Sequence, residues 1–98
     1  MITKKNIIEW SKPHPNANDG SRRTVIGNDL FDFSIVGGGS GLYGDFDEYF
    51  EVAVLNRKSN EFMTTYVFSV SDDVVAYLET EELVKTLNEV LGENFQVR

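Results

Sequence analysis

The residues whose spacing comes closest to a known chemistry are Gly39, Gly41 and Gly44, in the stretch "IVGGGSGLYGDFDEYFEVAVL". A G-x-G-x-x-G run after a strand holds a pyrophosphate when a helix follows, because the first amides of that helix then face the phosphate. The segment that follows here is "EYFEVAVLN". Phe50, Val52 and Val54 recur at period two with β-branched residues at the centre, which is a strand pattern. Phe46, Tyr49, Phe50, Ala53 and Val54 also fit helical 3–4 spacing. Asp45, Asp47, Glu48 and Glu51 come directly after the last glycine. Carboxylates crowded within about a Debye length repel a phosphate. The expectation is a long turn between two strands that binds neither ATP nor NAD.

The same residues have a second likeness. "GSGLYGDF" followed by "VAVL" resembles the glycine-rich hairpin of protein kinases, G-x-G-x-[FY]-G-x-V followed by V-A-x-K. Phe46 stands in the valine's neighbourhood and Leu55 at the lysine's place, and the chain has no H-R-D. The likeness spans residues 39–55 and implies a glycine-rich turn between antiparallel strands, not a kinase.

Other chemistries find fewer parts. There is no cysteine, which excludes disulfides and thiolate metal sites. A Ser-His-Asp triad would have to recruit the one histidine, His14, from the proline-flanked "KPHPN". Paired carboxylates occur at Asp45/Asp47, Asp72/Asp73 and Glu81/Glu82, but a glycosidase needs two across a sugar-sized cleft. Asp72/Asp73 suit a turn and Glu81/Glu82 a solvated first helical turn. "NANDG" echoes a calcium loop without its closing glutamate, and Asp45, Asp47 and Glu48 form a candidate weak calcium cluster. The expectation is no enzyme, no cofactor and no metal.

The elements that would carry these residues follow from periodicity. "TKKNIIEW" fits a short N-terminal helix capped by Thr3, or a strand. "SKPHPNANDGSRR", with both prolines, is expected to be an exposed loop. Strands are expected near 29–36, 48–56 and 62–70, the last two joined as an antiparallel hairpin through "NRKSNE". Asp72–Leu78 could be strand or helix. A helix near 80–91 is expected, capped by Thr80, closed by Gly92 and facing the core through Leu87. "FQVR" could add a last strand. The predicted fold is α+β: one domain over 1–98, an antiparallel sheet of three or four strands with the C-terminal helix on one face.

Composition bounds the function class. Of 98 residues, 41% are apolar and 12% aromatic, enough for a globular core. "MITKKNIIEW" leads into no long apolar run, so neither a signal peptide nor a membrane span is expected. Without cysteine, the cytoplasm is the expected compartment. Residues 1–27 carry a balance of +3 and residues 28–98 a balance of −10. An acidic body repels nucleic acid and membranes and attracts basic proteins.

The leading expectation is therefore protein–protein binding, with inhibition of a basic, nucleic-acid-handling partner such as a nuclease. Phage-encoded anti-CRISPR proteins and toxin immunity proteins share this size and charge, though no motif here identifies either family. The candidate contact residues are Leu42, Tyr43, Asp45, Phe46, Asp47 and Glu48, where aromatic anchors alternate with steering charges. The alternatives are a self-assembling structural or accessory subunit and, last, a small-molecule binder using the glycine loop.

Overall fold

The computed structural model describes residues 1–15, 19–39, 42 and 44–98. Its centre is an antiparallel sheet. In chain order the elements are α1 (Lys4–Glu9), β1 (Lys12–Pro13), β2 (Arg22–Gly27), β3 (Phe31–Gly37), β4 (Tyr49–Asn56), α2 (Thr64–Phe68), β5 (Val75–Glu79), α3 (Thr80–Leu91) and β6 (Gln96–Val97). Every strand pair is antiparallel, in the spatial order β1-β2-β3-β4-β5. β6 shares the outer flank of β2 with β1. Pro13 and Lys12 face Arg22 and Arg23, while Val97 and Gln96 face Ile26 and Gly27. The fold class is α+β, as expected, but the sheet has five strands along its path and a sixth off it, rather than three or four.

Alternation decides the two faces. Thr24 and Ile26 of β2, Phe33 and Ile35 of β3, and Phe50, Val52 and Val54 of β4 are buried on one side. Ile2 and Ile7 at the start of the chain and Leu83, Leu87 and Leu91 of α3 join them in one hydrophobic cluster. Burying side chains of this kind contributes about 1.5–3 kcal/mol each. Leu87 is fully buried, and α3 covers the residues expected of it. On the opposite face Arg23, Val25, Asp32, Ser34, Ala53 and Leu55 are only half-buried.

Three expectations are corrected. "RTVIG" lies in the inner strand β2, and Lys12–Pro13 pair with it, so the loop expected from Ser11 to Arg23 is interrupted at both ends. The segment 62–70 is not a strand and no hairpin joins it to β4. Phe62 makes one bridge to Leu55, and Thr64–Phe68 turn into a helix. The reason is tertiary: the Thr64 hydroxyl accepts from the Val54 amide at 2.9 Å and donates to the Val54 carbonyl at 3.4 Å. It thereby satisfies the edge of β4 beyond the reach of β5. Asp72–Leu78 ends in strand β5. Thr80 is the first residue of α3 and not its cap, which is Glu79. Thr3 does cap α1: its hydroxyl accepts from the Asn6 amide, and Asn6 accepts in turn from the Thr3 amide.

Among the described residues no helix is long and apolar enough to cross a membrane.

Candidate functional site

The glycine segment connects β3 to β4, two antiparallel neighbours, so no helix follows it to receive a phosphate. Its glycines serve close backbone approach. Gly44 has φ +126°, and a Cβ there would come within 2.6 Å of the Tyr49 carbonyl oxygen. Among the described residues, amides of the loop bond within the loop itself: Gly38 donates to Gly44 at 3.1 Å and Phe46 to Tyr49 at 3.1 Å. Gly41 and Tyr43 lie outside the described residues, as do Asn16, Ala17 and Asn18 of "NANDG".

Phe46 departs from the expected contact surface. It is 6% exposed and packs edge-to-face on Phe50, ring centroids 5.1 Å apart. Its φ of +59° is a left-handed conformation uncommon outside glycine, held here by core burial. Phe46 is thus a core anchor for the loop and leaves the set of exposed contact residues. Leu42 is half-buried.

Asp45, Asp47 and Glu48 are exposed and lie together. One oxygen of Asp45 accepts the amides of Asp47, Glu48 and Tyr49 at 3.0, 2.8 and 3.0 Å. These bonds hold its carboxyl below the usual carboxylate range, led by the amide of Tyr49. The same oxygen is the turn's own cap, which accounts for the carboxylate without a metal. Among the described residues no group of three or more His, Cys, Asp or Glu is arranged to hold a metal ion. Asp47 pairs with Lys4 at 2.6 Å. That hydrogen bond raises the lysine above its ordinary value against partial desolvation, with the fields of Asp47, Glu48 and Asp45 adding to it.

α3 fastens the loop from the other side. The Thr80 hydroxyl donates to the carbonyls of Asp47 and Glu48 at 2.9 and 3.0 Å, and its amide donates to Glu48 at 3.1 Å. Because Tyr49 stands opposite Glu79 in the β4–β5 ladder, β5 adds residues that the sequence did not suggest. Tyr77 is 59% exposed, adopts φ +52°, and meets Tyr49 edge-to-face at 6.4 Å. Lys4, Glu48, Tyr49, Glu79, Thr80 and Glu81 line a cleft of about 420 Å³ beside this pair. The structure thus assembles two exposed tyrosines with Asp47 and Glu48 of a fastened loop, Glu79 of β5 and Glu81 of α3. Neither Tyr77 nor Glu79 carries a local signal; only the pairing of β4 with β5 brings them in.

No protein-family model, no curated protein and no solved structure matches the chain.

Proposed function

We propose that this chain acts by binding another protein through the acidic, tyrosine-bearing face at the β4–β5 edge, and that the partner presents a basic surface of the kind that handles nucleic acid. The observation that carries this reading is the exposed Tyr49–Tyr77 pair, framed by the carboxylates of Asp47, Glu48, Glu79 and Glu81. Exposed aromatics supply the anchor energy of an interface, and surrounding charge steers the approach. A loop already fastened by Asp45 and Thr80 loses little entropy on binding, which favours affinity. Inhibition of a nuclease or a comparable basic protein, in the manner of anti-CRISPR or toxin immunity proteins, is the form this activity takes in the proposal. A cysteine-free chain suits a reducing compartment, so the cytoplasm belongs to the same reading.

A second reading is self-assembly, favoured by β5, whose far edge pairs with no other described strand. The left-handed Tyr77 and the terminal Glu79 oppose it, since kinks and charges discourage edge-to-edge pairing.

The test is capture from bacterial lysate with the parent chain, Glu48→Lys/Glu79→Lys and Tyr77→Ala. The expected result is a basic nucleic-acid-handling protein held by the parent. Charge reversal should slow its association and weaken the salt dependence. Tyr77→Ala should speed its dissociation. Melting curves on the same variants separate binding from folding. Equal capture by all three chains, each folded, overturns the assignment of this face.

A further inference from the structure

The cations of this chain are unequally provided with partners. Arg22 donates to the Ser11 hydroxyl at 3.0 Å and the Ser11 carbonyl at 2.7 Å. Arg98 and Arg57 both reach Asp32, at 3.0 and 3.6 Å. Lys4 pairs with Asp47 and Lys5 with Glu9. Arg23 has no ion pair among the described residues, and its Nε is buried without an acceptor. Lys12 stands directly opposite it in the β1–β2 ladder. Like charges facing each other across two strands are destabilising. The chain has sixteen carboxylates for nine lysines and arginines, yet it sets none of the described ones against this pair. Asp32, on the same face of the sheet, is committed to Arg98 and Arg57.

These residues surround a groove of about 460 Å³ over the outer face of β2, lined by Lys12, Arg23 and Arg98, by Asp32, whose charge Arg98 and Arg57 offset, and by Trp10, Val25 and Val97. That volume lies in the range of small-molecule sites. Beyond its buried Nε, the half-buried Arg23 side chain ends in a planar fork at this groove. Such a fork matches the two oxygens of a carboxylate or phosphate, and a neighbouring ammonium adds charge. The indole and the two valines supply an apolar wall.

We propose that this groove binds a small organic anion, its carboxylate or phosphate group held by Arg23 and Lys12 and its apolar body lying on Trp10, Val25 and Val97. This site is independent of the acidic face at the other edge of the sheet.

Trp10 is the chain's one tryptophan, so its fluorescence reports on this groove. The full chain is titrated at fixed ionic strength with phenyl phosphate and with benzoate, with sodium chloride as control. The expected result is a saturable change with at least one of the two anions and none with chloride. Saturation by one alone assigns the group as phosphate or carboxylate; saturation by both assigns a general oxyanion site. Arg23→Gln should weaken binding by about tenfold or more, since hydrogen bonds to charged groups are the strong ones. Arg23→Lys should fall between that variant and the parent, and Lys85→Gln, outside the groove, should match the parent. Melting curves establish that each variant is folded. A linear change shared with chloride overturns the site. So does equal affinity in folded Arg23→Gln.

Discussion

Where β4 meets β5, the carboxylates take part in building the structure: Asp45 caps the turn, Asp47 pairs with Lys4, and Thr80 ties the loop to α3. Where β1 and β6 share the flank of β2, Lys12 and Arg23 face each other, and neither has an ion pair among the described residues. Both edges belong to one sheet over one core, so the difference is not one of burial. It shows which charges are already spent on folding. At the acidic edge, Asp45 is spent, while Glu48 and Glu79 have no ion pair among the described residues and remain free to steer a partner. At the basic edge, Arg98 is spent on Asp32 and Arg22 on Ser11, while Lys12 and Arg23 have no ion pair among the described residues. A charge left without a partner in the free molecule is the better candidate for contact with something outside it.

The largest effect expected from separating these roles is at Phe46. If the acidic loop is held by a core anchor, Phe46→Ala should destabilise the whole fold by about 3–5 kcal/mol. Thermal melting measures it. A variant melting within a degree or two of the parent would mean that Asp45 and Thr80 hold the loop without the ring, and the boundary between structural and free residues at this edge would have to be redrawn.

Phe46 also marks how far the sequence can be read. The alternation in β3 and β4 and the 3–4 spacing of Leu83, Leu87 and Leu91 come from one-sided burial, a local signal, and those elements fall close to where periodicity places them. β2 does not stand out in the sequence because its core side is Thr24 and Ile26 beside two arginines, too little apolar character for a clear alternation. Thr24 can be buried because its hydroxyl donates to the Ile7 carbonyl at 2.7 Å, a partner that exists only once α1 has docked. "TTYVF" has strand composition, yet it forms a helix because Thr64 engages the edge of β4. At the acidic face, Asp45, Asp47 and Glu48 could be found from spacing. Tyr49 and Tyr77 as a pair could not, because their contact depends on the β4–β5 register.

The next effect is smaller and depends on pH. The carboxyl of Asp45 is held below its ordinary value by the amides it accepts, so the folded state binds its proton more weakly than the unfolded chain does. Its contribution is fully present above the unfolded value of about 4 and is lost as pH falls through the lower folded value. Asp45→Asn keeps an accepting oxygen without the charge. Because the site is exposed, the cost at neutral pH should be at most about 1 kcal/mol. The difference should shrink on acidification, with the variant showing a shallower acid limb in melting temperature. A constant offset from pH 7 to pH 3 would mean that the charge of Asp45 is not used by the turn.

The smallest effect addresses the basic edge and should carry the opposite sign. Lys12→Glu replaces a facing pair of like charges by an ion pair with Arg23, on neighbouring strands whose partner positions are in register. Cross-strand pairs of opposite charge contribute about 0.2–1 kcal/mol, and like pairs cost a similar amount. In a domain of this size each kilocalorie corresponds to a shift of about 4–8 °C, so the variant should melt a few degrees higher than the parent in low salt. Added salt should narrow the gap, since screening relieves the repulsion in the parent and weakens the attraction in the variant. The same substitution should abolish the saturable response of Trp10 to phenyl phosphate or benzoate, because the carboxylate it introduces occupies the Arg23 fork. A gain in stability with loss of anion binding is the pattern of a site whose charge is kept against the interest of the fold. If Lys12→Glu leaves melting unchanged in low salt, the two cations already avoid each other in water, and the repulsion that singles out this groove is absent.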